Sequence, residues 1–257
     1  MNLSVLASGS KGNAALLATD TTAILIDNGL PAQELTRRLS IAGQRPEDLE
    51  AVILSHEHGD HCAGVKTFLR HTIKRGRAVP IYATDLCAAR VDFGVDEPPV
   101  KRFAAGSRFM IGNIEVESFT VMHDAADPVN FVFTAEGIRI GWSTDLGCVP
   151  PAMKRKFADC QVIVLESNHD LEMLQNGPHP EEVKIRVAGN MGHLSNEQGA
   201  EFLAGIRPRT DTVVLSHLSA DNNRPDLALF TAEKALSLCG SSARVMVASQ
   251  TEVLKVL

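Results

Sequence analysis

Ala51-Val52-Ile53-Leu54-Ser55-His56-Glu57-His58-Gly59-Asp60-His61 decides the fold. An apolar run of strand length leads directly into a polar loop, and a helical pattern follows. His56, His58, Asp60 and His61 offer nitrogen and carboxylate donors that suit a borderline metal such as Zn²⁺. A single ion cannot readily take all four from so short a loop. His56 and His58 are two apart, so in extended backbone they point the same way. Asp60 and His61 then face another side as the helix begins. The spacing predicts two adjacent metals. A solvated loop of surface histidines is the plain alternative, and so dense a cluster beside an apolar strand argues against it.

Two metals need further ligands. Open α/β sheets place their sites at strand ends, and three residues stand there. His123 follows Phe119–Met122, Asp145 follows Ile140–Thr144, and His217 follows Thr212–Ser216. Alone, each reads as a capping or satisfied polar residue. Beside the His56–His61 loop, they read as ligands.

The rest of the chain alternates between two textures. Strand-like runs cover Leu3–Ala7, Thr22–Asp27, Ala51–Ser55, Val79–Ala83, Ile114–Val121, Val129–Thr134, Ile138–Ser143, Gln161–Glu166, Thr212–Ser216 and Arg244–Ala248. Helical patterns cover Pro31–Ala42, Ala63–Arg75, Thr84–Asp92, Pro180–Val187, Asn196–Ile206 and Pro225–Leu238. The first two strand runs, and the three between Ile114 and Ser143, read as antiparallel hairpins or meanders. The segments around Ala51 and after Gln161 read as strand–helix–strand units. The expectation is a single domain over 1–257, with two mixed sheets covered by helices.

Composition fits a globular chain: 257 residues, 44% hydrophobic, 22% charged, net charge −6. That balance excludes whole-chain disorder and a wholly basic nucleic-acid binder. No apolar run reaches membrane-span length, so no membrane association is expected. The start has no basic segment before its apolar stretch, so a cytoplasmic location is expected. The five cysteines are widely spaced with no CxxC, which suggests reduced thiols. Cys62, beside the loop, is expected to face the core as a small apolar residue.

The set His56, His58, Asp60, His61, His123, Asp145 and His217 resembles the metallo-β-lactamase superfamily over almost the whole chain. The resemblance implies an α/β (α+β) protein, a four-layer αβ/βα sandwich with a binuclear centre at the edge of its two sheets. It implies that His56, His58 and His123 bind one metal and that Asp60, His61 and His217 bind the other. Asp145 would bridge both. Antibiotic-hydrolysing members usually lack the histidine at 61 and commonly carry Cys at 145. Glyoxalase II carries a helical domain after its core, whereas only 218–257 follows His217 here. The segment 146–216 is too short for a β-CASP insertion, and no Gly/Pro-rich basic arm of the tRNase Z type is present.

Three further motifs narrow the resemblance to the YycJ/WalJ group of exonucleases. They are Leu6-Ala7-Ser8-Gly9-Ser10-Lys11-Gly12-Asn13, Leu165-Glu166-Ser167-Asn168-His169-Asp170, and Gly192-His193-Leu194-Ser195-Asn196 followed by Leu215–Ser219. The Ser8–Asn13 loop is rich in small residues whose N–H groups can approach an anion, which makes Ser8, Ser10 and Asn13 candidate substrate contacts, and a plain tight hairpin turn is the equal alternative. Ser195 or Asn196 can cap a helix and leave its positive end near phosphate. His193 can protonate a leaving oxygen. Asn168 and His169 read as substrate contacts or as supports behind the ligands. Lys66, Arg70, Lys74, Arg75 and Arg77 form a basic run, with Lys74 and Arg75 as candidate phosphate contacts.

The expected activity is phosphodiester hydrolysis by a hydroxide bridging two divalent ions, Zn²⁺ or Mn²⁺, with Asp60 orienting the nucleophile. The resemblance implies a 5′→3′ exonuclease on DNA rather than RNA. The alternatives are a small-molecule lactone or thioester hydrolase, or a non-catalytic metal-bound scaffold.

Overall fold

The computed structural model describes residues 1–205 and 209–257. In chain order the elements are β1 (Asn2–Ala7), β2 (Ala14–Ala18), β3 (Ala23–Ile26), α1 (Ala32–Ile41), β4 (Ala51–Ile53), α2 (Gly59–Cys62), α3 (Val65–Lys74), β5 (Ile81–Ala83), α4 (Asp85–Ala88), β6 (Val100–Arg102), β7 (Arg108–Ile111) and β8 (Ile114–Thr120). They continue with β9 (Val129–Ala135), β10 (Ile138–Ser143), α5 (Pro151–Phe157), β11 (Val162–Glu166), α6 (Leu171–Asn176), α7 (Glu181–Ala188), α8 (Asn196–Ala204), β12 (Thr212–Ser216), α9 (Pro225–Leu238), β13 (Arg244–Val247) and β14 (Leu254–Lys255). The strands form two mixed sheets of seven, ordered β14-β1-β2-β3-β4-β5-β6 and β13-β12-β11-β10-β9-β8-β7. No helix among the described residues is long and apolar enough to cross a membrane.

Two compact units make up the chain. The first comprises Met1–Thr120, Ala125–Val129 and Ser249–Leu257. Its strands β1, β2 and β3 pair antiparallel, and β3 to β6 pair parallel. Parallel pairing needs crossovers, and α1 and α3 supply two of them. Leu35 and Leu39 of α1, at i,i+4, are buried, as are Val65, Phe68, Leu69 and Thr72 of α3. These helix faces join Leu25, Val52 and Ile81 from the strands in one apolar cluster. The second unit comprises Val121–Asp124 and Asn130–Ala248. In it β9 pairs antiparallel with β10, and β10, β11, β12 and β13 pair parallel. Val162–Leu165 and Val213–Val214 are buried on both faces, the continuous apolar texture of covered parallel strands.

The structure corrects several expectations. Leu3–Ala7 and Thr22–Asp27 are not hairpin partners, because β2 lies between them. Its sequence, AALLA, has weak strand preference, yet every residue is buried, so packing overrides propensity. The short β6, β7 and β14 were not expected, nor were α5 and α6. The pattern over Ala63–Arg75 resolves into α3 after the separate turn α2, and that over Thr84–Asp92 shortens to α4. The helix expected over Asn196–Ile206 is α8, and Ile206 lies outside the described residues. Trp142 is buried in β10, as core residues are.

Candidate metal centre

Strand ends carry the candidate ligands in each unit, the usual placement in open α/β sheets. In the first unit, Asp27 follows β3 and Ser55–His58 follows β4. The chain stays extended through His58 (φ −62°, ψ 147°) and then turns into α2, which carries Asp60 and His61. The His56 ring centroid lies 4.7 Å from that of His58 and 4.3 Å from that of His61. Asp60 Oδ2 is 3.4 Å from His61 Nε2.

Asp27 holds this group from behind. Its carboxylate accepts from Ser55 N–H at 2.8 Å and from Ser55 Oγ at 2.9 and 3.0 Å. Asp27 Oδ2 lies 2.9 Å from His61 Nδ1. That acceptor favours the tautomer with the proton on Nδ1 and directs Nε2 outward as the donor for a cation, the usual device behind metal-binding histidines. Gly29 brings the next strand-end loop against the same turn. A Cβ at Gly29 would stand 1.8 Å from Asp60 O, whereas one at Gly59 meets nothing within 4 Å. Gly29→Ala is expected to lose at least about 1–3 kcal/mol in urea unfolding. Gly59→Ala is expected to fall within about 0.5 kcal/mol of wild type. Equal midpoints for the two variants would refute this packing.

The second unit repeats the design. His123 follows β8, Asp145 follows β10, Glu166 ends β11, and His217 follows β12. Glu166 is fully buried and engages four groups. Its Oε1 lies 2.7 Å from His193 Nδ1 and 3.0 Å from His217 Nδ1. Its Oε2 accepts from the N–H groups of Leu146 at 3.1 Å and Leu194 at 3.0 Å. Asp145 Oδ1 stands 3.1 Å from His217 Nδ1, 3.7 Å from His193 Nδ1 and 3.9 Å from His123 Nε2. His123 Nδ1 is 3.0 Å from the carbonyl of Gly192, which again leaves Nε2 as the outward donor. Donor atoms of Asp145, Glu166, His193 and His217 lie within 4.8 Å of one another. Four groups already engage the Glu166 carboxylate, an arrangement that orients the rings of His193 and His217.

The protonation states follow from this packing. Burial alone would raise Glu166, but the facing His193 and His217 hold it well below the usual carboxylate range. For His193, burial opposes protonation, but Glu166 outweighs it and raises the pKa. Burial lowers His123 and pushes His169 down to about 4. Cys62 packs against the apolar cluster, and burial pushes its thiol up to about 11. Asp27, Asp145 and His217 sit at positive φ (58°, 58° and 54°), a region non-glycine residues rarely occupy. Such backbone persists where the surroundings over-determine it.

The other expected site residues have varied placements. Ser8 and Asn13 are buried and Ser10 is exposed. Asn168 is buried, and its Nδ2 donates to the carbonyl of His217 at 2.9 Å. His169 is buried and bridges in parallel to Ser195. Ser195 caps α8, accepting from Gln198 N–H in a capping box. The basic run is locally balanced: Lys66 pairs with Asp92, Arg75 with Glu47 and Arg77 with Glu50, while Lys74 is exposed at the end of α3.

Sequence reasoning gave no role to Asp27 or Glu166. Asp27 directly follows β3 and Glu166 ends β11, the same strand-end signal that singled out His123, Asp145 and His217. As a donor set, histidines with carboxylate or carbonyl acceptors at Nδ1, together with Asp60 and Asp145, fit divalent metals such as zinc.

Comparison with known proteins adds the family. A profile described as a beta-lactamase superfamily domain matches residues 22–231. The chain is 34% identical over 240 residues to exodeoxyribonuclease YycJ of Bacillus anthracis, covering 92% of this chain and 89% of that one. It is 35% identical over 234 residues to exodeoxyribonuclease WalJ of Streptococcus pneumoniae, covering 89% of this chain and 85% of that one. The crystal structure of the metallo-beta-lactamase fold protein YhfI from Bacillus subtilis matches with a TM-score of 0.76 at 16% identity, over 98% of both chains, which shows the fold.

Proposed function

Because the chain belongs to the metallo-β-lactamase superfamily, we propose that it is a metal-dependent exodeoxyribonuclease that trims DNA from the 5′ end. The observation that carries the substrate class is the likeness, at 34–35% identity over about nine-tenths of the chain, to relatives named as exodeoxyribonucleases. The two strand-end clusters support the chemistry. In this reading His56, His58 and His123 hold one ion, Asp60, His61 and His217 hold another, and Asp145 serves both. Two such ions, Zn²⁺ or Mn²⁺, would supply an activated water near neutral pH and offset charge on the phosphoryl oxygens.

The chain's own groups do the rest. Asp60 orients the attacking water. His193 is the general acid: it stands 3.7 Å from Asp145 Oδ1, Glu166 fixes its ring, and its side chain keeps 19% exposure to solvent. Ser10 and Lys74, both exposed, are the phosphate contacts this reading favours, and Arg75, Ser8, Asn168, His169 and Ser195 are its further candidates.

The test is digestion of 5′-labelled and 3′-labelled DNA and RNA by protein reconstituted with Zn²⁺ or Mn²⁺. Metal-dependent release of the 5′ label from DNA, abolished by chelation, is expected. Release of the 3′ label first would reverse the polarity. Intact DNA after incubation with metal-loaded protein would remove the nuclease reading.

A further inference from the structure

The small-residue loop over Ser8–Asn13 reads in the sequence as a cradle for an anion. Its last residue instead turns inward. Asn13 is buried, and its Oδ1 accepts from Gly9 N–H at 2.8 Å. That bond fixes the amide's orientation and leaves Nδ2 facing two candidate ligands. Nδ2 lies 3.2 Å from Asp60 Oδ2 and 3.0 Å from His61 Nε2. We propose that Asn13 is a positioning residue for the Asp60–His61 half of the centre, holding both side chains in register for a cation and keeping His61 in the tautomer that can bind one. This rests on the two-metal reading above.

The physical argument starts from what an amide NH₂ can do. It donates and cannot accept, so the His61 Nε2 that faces it carries the lone pair. On the other side of the ring, the Asp27 carboxylate accepts from Nδ1 at 2.9 Å. Both neighbours therefore select the same tautomer, with the proton on Nδ1 and the lone pair on Nε2, and a cation takes that lone pair by displacing the amide hydrogen bond while Asn13 keeps its bond to Asp60. Without Asn13, Asp60 Oδ2 still faces Nε2, 3.4 Å away. A carboxylate accepts only, and so favours a proton on Nε2, which blocks the donor. Asn13 thus keeps apart two ligands that would otherwise satisfy each other.

The backbone around Asn13 makes the placement stiff. Asn13 N–H donates to Asp60 O at 2.7 Å, and Gly29 N–H donates to Asn13 O at 3.0 Å. On its far side the loop is locked by the chain's C-terminal segment. Gln250 Oε1 accepts from Lys11 N–H at 2.9 Å, Gln250 Nε2 donates to Gly12 O at 2.9 Å, and Ser8 N–H donates to Ser249 O at 3.0 Å. The loop is clamped between Gln250 and the metal ligands.

The experiment titrates metal-free protein with Co²⁺ and reads visible absorption and calorimetry for wild type, Asn13→Ala, Asn13→Asp and Gln250→Ala. Wild type is expected to take two equivalents. Asn13→Ala is expected to weaken one equivalent by about 10–100-fold and leave the other within about threefold. Gln250→Ala, which touches no ligand, is expected to weaken the same equivalent by less. Asn13→Asp keeps an acceptor for Gly9 N–H but can no longer donate to His61. In ¹⁵N spectra of the metal-free protein it is expected to move proton occupancy from Nδ1 toward Nε2 of His61. Two equivalents bound by Asn13→Ala as tightly as by wild type would overturn the proposal. So would equal weakening of both equivalents, or an unchanged His61 tautomer in Asn13→Asp. Wild type that takes up fewer than two equivalents would instead remove the two-metal reading, and this inference with it.

Discussion

Glu166→Gln lowers the rate of DNA digestion by about 10³–10⁴-fold while the protein stays folded. The expectation follows from the number of partners on one buried carboxylate. Glu166 faces the Nδ1 atoms of His193 and His217 and two backbone N–H groups. An amide of the same shape offers one acceptor and one donor. With its NH₂ at the Oε1 position, His193 and His217 must flip or change tautomer; with its NH₂ at the Oε2 position, the N–H groups of Leu146 and Leu194 lose their acceptor and the loops that carry His193 and Asp145 loosen. A carboxylate-to-amide change behind a catalytic histidine in serine proteases costs about 10⁴ for this reason. Here the same group backs both a proposed metal ligand and the proposed general acid, so rate and metal content should fall together. Glu166→Ala removes every acceptor at once and should cost about 3–5 kcal/mol of stability, because buried donors are left unpaired. Single-turnover digestion and bound-metal analysis on the Gln variant decide the matter. A loss under about tenfold, with full metal content, would show that Glu166 is only a structural acceptor.

The parts of the site legible in the sequence are those whose signal is local. His56, His58, Asp60 and His61 are dense enough to stand out, and the apolar run before them fixes their place at the end of β4. His123, Asp145 and His217 could be picked because each ends an apolar run. Glu166 and Asp27 end such runs too, but a carboxylate there has many ordinary uses. What distinguishes them is which rings face them, and that depends on neighbouring strands distant in sequence. Asn13 shows the same limit from another direction. A loop of Ser, Gly, Lys and Asn looks alike whether it greets an anion or folds back on a ligand, and the contact with Asp60 decides. The fold was readable where strands are β-branched and helices amphipathic. It was not readable at β2, where alanine and leucine form a buried strand because β1 and β3 require one between them.

Asp27→Asn weakens binding of one metal equivalent by about 10²-fold, the upper end of what support behind a metal-binding histidine contributes. The substitution isolates the charge. Asparagine tolerates the positive φ of position 27 and keeps the side chain's shape. It cannot, however, replace the carboxylate toward all its partners. Ser55 N–H and Oγ approach one oxygen, Ser55 Oγ also approaches the other, and His61 Nδ1 approaches that same second oxygen. An amide NH₂ directed at Nδ1 reverses the demand on the ring and pulls the lone pair away from Nε2. Turned the other way, it faces Ser55 N–H and loosens the backbone that carries His56. Asp27→Ala adds the cost of alanine in left-handed backbone, about 1–2 kcal/mol, to the loss of a buried acceptor. The Asn variant should therefore unfold near wild type in metal-free form yet bind cobalt poorly, whereas the Ala variant should be unstable in both respects. Asp27→Asn that binds two equivalents of cobalt with wild-type affinity would show that neither the His61 tautomer nor the Ser55 anchor limits the site, and the support behind His61 would have to be sought on the Asn13 side of the ring.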